Sequence, residues 1–98
     1  MSYGMIVRVK APAQVYETAH GAVLEALAGN EAEGLLCHIG REVDGGFEVI
    51  EVWKSKEASN RFNEDVVVPA MVRAGVAIPD EPPELVEFQP LDVMVGRL

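Results

Sequence analysis

The stretch that decides the fold is Gly34-Leu35-Leu36-Cys37-His38-Ile39-Gly40-Arg41-Glu42-Val43, then Asp44-Gly45, then Gly46-Phe47-Glu48-Val49-Ile50-Glu51-Val52-Trp53-Lys54. Two β-rich runs flank an Asp-Gly pair, which is among the strongest short hairpin signals, because a type I′ turn needs positive φ at both central positions. With Asp44-Gly45 as a two-residue loop, Val43 opposes Gly46. Arg41 then faces Glu48, Ile39 faces Ile50, His38 faces Glu51 and Cys37 faces Val52. Opposite charges and matched apolar residues meet across the strands, which supports this register.

Outward from the hairpin the pattern continues. Tyr3 to Lys10 reads as a strand, with Met5, Val7 and Val9 alternating against Gly4, Ile6 and Arg8. Pro12 suits a helix first turn. Tyr16, Ala19, Val23, Ala26 and Leu27 follow on one helical face, and Gly29-Asn30 stops that helix. After the hairpin, Ser55 is a good N-cap, and Ala58, Phe62 and Val66 recur every four residues. Pro69 cannot donate to the carbonyl of Asp65, so this helix should break or kink there and resume to Gly75. Ile78 to Glu84 holds three prolines and reads as a loop. Leu85 to Val95 reads as a last strand, with Pro90 marking it as an edge or a bulge.

The order is strand, helix, strand, strand, helix, strand. Right-handed crossovers turn it into an α+β, ferredoxin-like βαββαβ domain with a four-stranded antiparallel sheet of order 4-1-3-2. At 98 residues one domain spanning 1–98 is expected. A domain this small buries only about 60–65% of its unfolded surface, so a partner subunit would help it.

Alternation divides the sheet into two surfaces. One carries Leu35, Cys37, Ile39, Ile50 and Val52, taken with Met5, Val7 and Val9, and is assigned to the helices because it is almost wholly apolar. The other carries Leu36, His38, Val49, Glu51 and Trp53, taken with Ile6 and Arg8. Two helices cannot cover both faces, and an apolar patch with Trp53 in it is an interaction surface. A second copy packed sheet to sheet with twofold symmetry is the economical partner.

Arg8, His38 and Glu51 read in two ways: a structural hydrogen-bond network within a dimer, or the polar end of a ligand cavity. A histidine held by a carboxylate can act as a general base near neutral pH. Trp53 reads as packing on the second helix or as the wall of a flat aromatic site. His20, on the first helix, reads as a solvated surface residue.

Other chemistries are disfavoured. The net charge of -8 repels a phosphate backbone, so nucleic acid is not an expected partner. No apolar run approaches a membrane span or a secretory signal. Cys37 is the one cysteine, which fits a small core side chain and a reducing cytoplasm. Two distant histidines give no metal-ligand spacing. Neither a phosphate loop nor a nucleophile elbow is present, and no cofactor is expected.

Gly34-Leu35-Leu36-Cys37-His38, Asp44-Gly45-Gly46, Val49-Ile50-Glu51-Val52-Trp53-Lys54-Ser55, Phe62 and Pro69-Ala70 together resemble the antibiotic-biosynthesis-monooxygenase-like family of dimeric α+β barrels. The resemblance spans roughly residues 34–75, and the element order extends it over most of the chain. It implies a homodimer with a pocket between sheet and helices or partner. Family enzymes include cofactor-independent oxygenases acting on polycyclic aromatic substrates, served by an asparagine, a tryptophan and sometimes a tyrosine; Trp53 matches, and Tyr3 to Lys10 holds no asparagine. The haem-degrading branch uses a histidine on the second helix, where Ser55 to Gly75 has none.

The expected function is therefore a small-molecule-binding homodimer, with cofactor-free monooxygenation of an aromatic or polyketide-like substrate as the activity. His38 is the candidate catalytic base, and Arg8, Glu51, Trp53 and Phe62 are the candidate substrate-binding residues. The alternative is a non-catalytic ligand-binding, regulatory or purely structural dimer of the same fold.

Overall fold

A computed structural model describes residues 2–76 and 82–96. Among these residues four strands, three α-helices and one π-helical turn follow in the order β1 (Tyr3–Val9), α1 (Ala13–Leu27), β2 (Leu35–Val43), β3 (Gly46–Trp53), α2 (Lys56–Phe62), a π-helical turn (Asn63–Val67), α3 (Val68–Ala74) and β4 (Glu84–Phe88). The sheet is antiparallel throughout, in the order β2-β3-β1-β4. This is the 4-1-3-2 order read from the other edge. No helix of the described residues is long and apolar enough to cross a membrane.

The hairpin register is the one the turn predicts: Val43 opposes Gly46, Arg41 opposes Glu48, Ile39 opposes Ile50 and His38 opposes Glu51. The turn itself differs. Gly45 has φ 78°, while Asp44 is not among the positive-φ residues, so the loop is not type I′. An aspartate pays a steric cost in the left-handed region that glycine does not. The register slips by one residue between Leu35 and Cys37, so Leu35 rather than Leu36 lies opposite Trp53. This bulge turns Leu35 to the side of Trp53.

Helix boundaries have local causes. Ser55 is extended, and its hydroxyl accepts from Ala58 N–H at 3.1 Å, capping α2. Pro69 sits in the first turn of α3, and the backbone before it widens: Val68 N–H donates to Asn63 O, five residues back. The α2–α3 break is thus a π turn that keeps the helix running. The first helix ends at Leu27, with Ala28 at φ 50° and Gly29 at φ 86°. β4 is shorter than the sequence pattern implies and stops at Phe88; Pro90 follows it. Four residues of the proline-rich loop, 78–81, lie outside the described residues.

The face assignment needs correcting. The helices cover the surface that bears His38, Glu51 and Val49, together with Met5, Val7, Val9 and Leu35. The pairs Met5–Glu51 and Val7–Val49 put β1 in phase with this half of the hairpin. Cys37, Ile39, Ile50, Val52, Ile6 and Arg8 lie on the other surface. Apolar count misleads here because the polar groups under the helices are satisfied by hydrogen bonds, which removes most of the penalty for burying them.

Few apolar residues are deeply buried: Phe47, Trp53 and Ala70. The helical layer stands off the sheet and leaves a cavity of about 470 Å³ between them. On the open surface Ile39 is 47% and Phe88 37% exposed, beside the half-buried Ile6, Ile50, Val52 and Val86. One end of that surface is polar. Glu48 accepts from Arg8 at 2.7 Å and from Arg41 at 2.8 Å, and Arg8 also reaches Glu84 at 3.1 Å.

Candidate functional site

The cavity lies between β1, β2 and β3 below and α1, α2 and α3 above. Met5, Val7, Val9, Val49, Val67 and Met71 give it an apolar lining, and Phe62 adds an aromatic edge. Its polar end is a connected row of side chains. His38 Nδ1 lies 2.7 Å from Glu51 Oε2, and His38 Nε2 lies 2.8 Å from Tyr16 Oη. Trp53 Nε1–H donates to Glu51 Oε1 at 3.1 Å.

The row fixes its own proton arrangement. An indole N–H only donates, and an ionised carboxylate only accepts. With Glu51 ionised, His38 holds its proton on Nδ1, donates it to Oε2, and leaves Nε2 as the acceptor for the Tyr16 hydroxyl. Each Glu51 oxygen therefore has a donor. Base, orienting carboxylate and a hydroxyl within hydrogen-bond reach is the general arrangement of an activated proton acceptor.

Tyr16 and His20 stand four residues apart on one face of α1. Their rings stack, with centroids 5.3 Å apart and planes 14° apart. His20 also stacks on His38, at 5.1 Å and 19°. Burial holds the His20 imidazole below its ordinary value, and a charge on His38 would push it the same way, against a smaller pull from Glu51. The Tyr16 phenol is pushed up, first by burial and then by the Glu51 carboxylate. Tyr16 is thus a neutral hydroxyl at neutral pH.

The structure brings His38, Glu51 and Phe62 to the cavity and places Trp53 just beneath it. Trp53 is 1% exposed and packs on Phe62 at 5.3 Å between centroids. It grips the carboxylate and lines no wall. Arg8 is not brought in: it lies on the far surface and pairs with Glu48, not Glu51. The cause is the β1 register, which sets Arg8 opposite Glu48.

Three polar lining residues, Tyr16, His20 and Asn63, escaped the sequence reading. His20 is half-buried against His38 rather than solvated. Tyr16 was legible only as a core residue of α1. Asn63, at the first position of the π turn, lines the cavity as well. The i, i+4 spacing of Tyr16 and His20 is the one signal that could have joined them. Among the described residues no group of three His, Cys, Asp or Glu is placed to hold a metal ion.

No protein-family model and no curated protein matches the chain. Solved structures do. A protein assigned to the antibiotic biosynthesis monooxygenases, from Caulobacter crescentus, superposes with TM-score 0.69 at 17% identity, covering 93% of this chain and 91% of its own. The cofactor-independent oxygenase SnoaB from Streptomyces nogalater gives 0.57 at 16%, over 98% and 96%. A heme-degrading protein from Mycobacterium tuberculosis gives 0.55 at 20%, over 98% and 100%. With that coverage on both sides, the chain has the fold of the antibiotic-biosynthesis-monooxygenase-like proteins.

Proposed function

We propose that the chain is a cytoplasmic homodimer that binds a flat aromatic or polyketide-like molecule in this cavity and oxygenates it without a cofactor. The observation that carries the reading is the His38–Glu51 pair at the polar end of an otherwise apolar cavity. Small-molecule sites have this build: mostly apolar, with a few placed polar groups. Its volume, about 470 Å³, is within the usual range for such sites. Phe62 supplies an aromatic edge for the ligand.

In the proposed reaction the ligand's hydroxyl proton passes to the His38 imidazole, and Glu51 holds the resulting cation. The electron-rich anion reduces dioxygen, and a bond forms between a ring carbon and one oxygen atom. Loss of water from that hydroperoxide leaves a carbonyl. One oxygen of O2 enters the quinone-type product and the other departs as water, so the hydroxyl and C–H hydrogens are both accounted for. His38 returns its proton to the departing oxygen.

Oxygen uptake with hydroxylated polycyclic compounds tests the reading. The parent should consume oxygen, and His38→Ala should lose about 100-fold or more of the rate, the usual size of a general-base contribution. A parent that binds such compounds without consuming oxygen would leave a binding protein. A parent that neither binds nor consumes would sink the reading. Binding of haem in the same assay, with none of the phenols bound, would move the site to the chemistry of the heme-degrading neighbour.

A further inference from the structure

We propose that Tyr16, not His38, is the group that touches the ligand's hydroxyl, and that it relays the proton to His38; this rests on the reading of the cavity given above. The geometry is specific. The one ring nitrogen of His38 that can accept a proton already faces Tyr16 Oη at 2.8 Å. Its other nitrogen is committed to Glu51 at 2.7 Å. A ligand proton therefore reaches His38 through the Tyr16 hydroxyl or not until Tyr16 leaves.

Tyr16 is held on three sides. Its ring stacks on His20 at 5.3 Å and meets the Phe47 ring edge-on at 5.6 Å. Below it is Gly40, on the same strand face as His38. A methyl added at Gly40 would lie 2.5 Å from Tyr16 Cζ and 2.6 Å from Oη. The phenol thus fills the space that glycine leaves, and swinging out would break both ring contacts.

The relay moves protons only. Tyr16 Oη accepts the ligand's hydroxyl proton while its own proton passes to His38 Nε2. The ligand leaves the step as an anion, His38 as an imidazolium beside Glu51, and Tyr16 as a neutral phenol. The phenol never needs to carry a charge. That matters because burial and the Glu51 carboxylate both disfavour its anion.

The test uses 2-naphthol, whose neutral and ionised forms differ in absorption and fluorescence. Bound to the parent, the probe should ionise at a pH well below its value in free solution. Tyr16→Phe keeps the ring and its stacking, and should keep naphthol binding within a few-fold. Its bound naphtholate fraction should fall about tenfold or more, to the level of His38→Ala. Gly40→Ala displaces the ring with its hydroxyl intact and should show the same loss. A melting curve and circular dichroism establish that each variant is folded. If Tyr16→Phe instead binds naphthol more tightly and still ionises it, the probe reaches His38 directly; Tyr16 is then a plug and the relay is overturned. Should Tyr16→Phe ionise the probe as the parent does at unchanged affinity, the relay is equally overturned. Failure of the parent to bind any hydroxylated aromatic is a different result, and removes the cavity reading itself.

Discussion

The indole N–H of Trp53 donates to Glu51 Oε1 at 3.1 Å, two residues back along the same strand. Residues i and i+2 share a strand face, so one element carries both the carboxylate and the donor that fixes it. Trp53 is 1% exposed, so its N–H has no competing contact with bulk solvent. Trp53→Phe should lose about 1.5–3 kcal/mol, the usual worth of a hydrogen bond to a charged group, with a smaller addition for lost ring volume. Trp53→Ala should lose about 3–5 kcal/mol. Chemical denaturation followed by circular dichroism measures both. A loss below about 0.5 kcal/mol for Trp53→Phe would mean that the carboxylate is held by His38 alone.

His20 gives the protein a pH dependence of known sign. Burial and the neighbouring His38 hold its imidazole below the ordinary value. In the unfolded chain the same group takes a proton near pH 6.5. The unfolded state therefore binds more protons in this window, and stability falls as pH drops through it. Melting temperatures of parent and His20→Gln should converge as pH decreases from about 7 towards 5. The carboxylates of Glu48 and Glu87 are held low by their basic and hydroxyl donors and act in the same direction. Their contribution begins only in the carboxylate range, near pH 4.5 and below, so the two effects separate on the pH axis. A parent curve that is flat between pH 7 and 5 would remove the assignment to His20.

The hairpin was legible because two residues fix its loop length, and loop length fixes every pairing after it. The element order followed, and with it the sheet order. The bulge at Leu36 was not, since Leu35, Leu36 and Cys37 are apolar in a row and carry no alternation that would show a slip. The expected faces hold for Met5, Val7, Val9 and Leu35 under the helices and for Ile6 and Arg8 away from them, but the hairpin residues from Cys37 to Val52 are inverted for a physical reason. Apolar count is a fair guide to burial when buried groups are unpaired, but His38 and Glu51 are half-buried under the helices as a satisfied set. The pair itself was visible as cross-strand neighbours. Its completing partners were not: Tyr16 sits 22 residues away on a helix and meets His38 only through the fold. The neighbouring first and third strands bring Arg8 near Glu51 in sequence terms; the strands are neighbours, but the β1 register sets Arg8 opposite Glu48 instead.

Two glycines make opposite predictions. A methyl at Gly46 would overlap the backbone carbonyl oxygen of Val9, which cannot turn aside as a side chain can. Val9 pairs with Phe47, so the strain falls on the β1–β3 junction. Gly46→Ala should cost about 1–3 kcal/mol, the range for forced overpacking. Gly21 lies within α1 with nothing near its added methyl. Gly21→Ala should raise stability by roughly 0.5–1 kcal/mol through helix propensity. Equal effects of the two substitutions in a denaturation series would show that the close approach at Gly46 is absent in solution.

The open surface of the sheet makes the strongest case for a second copy. Ile6, Ile39, Ile50, Val52, Val86 and Phe88 form an apolar field that none of the described helices covers, and Ile39 is 47% exposed. One end is bounded by the Arg8–Glu48–Arg41 ion pairs, both at 2.7 Å. Two copies related by a twofold axis would bury this field against itself, with the ion pairs at the rim, where charges lose least solvation. A standard interface buries about 800 Å² per partner, within reach of a sheet this size. Light scattering at micromolar concentration should give twice the 10.6 kDa chain mass. Ile50, on a central strand, points into the middle of the field. Ile50→Glu should therefore give a folded monomer, because a lone carboxylate there has no partner and burying it is costly. The cavity is built from one chain's own strands and helices. The monomeric variant should accordingly keep naphthol binding, measured by probe fluorescence, at reduced thermal stability. A parent that runs as a monomer would overturn the dimer; an Ile50→Glu variant that stays dimeric would place the partner surface elsewhere.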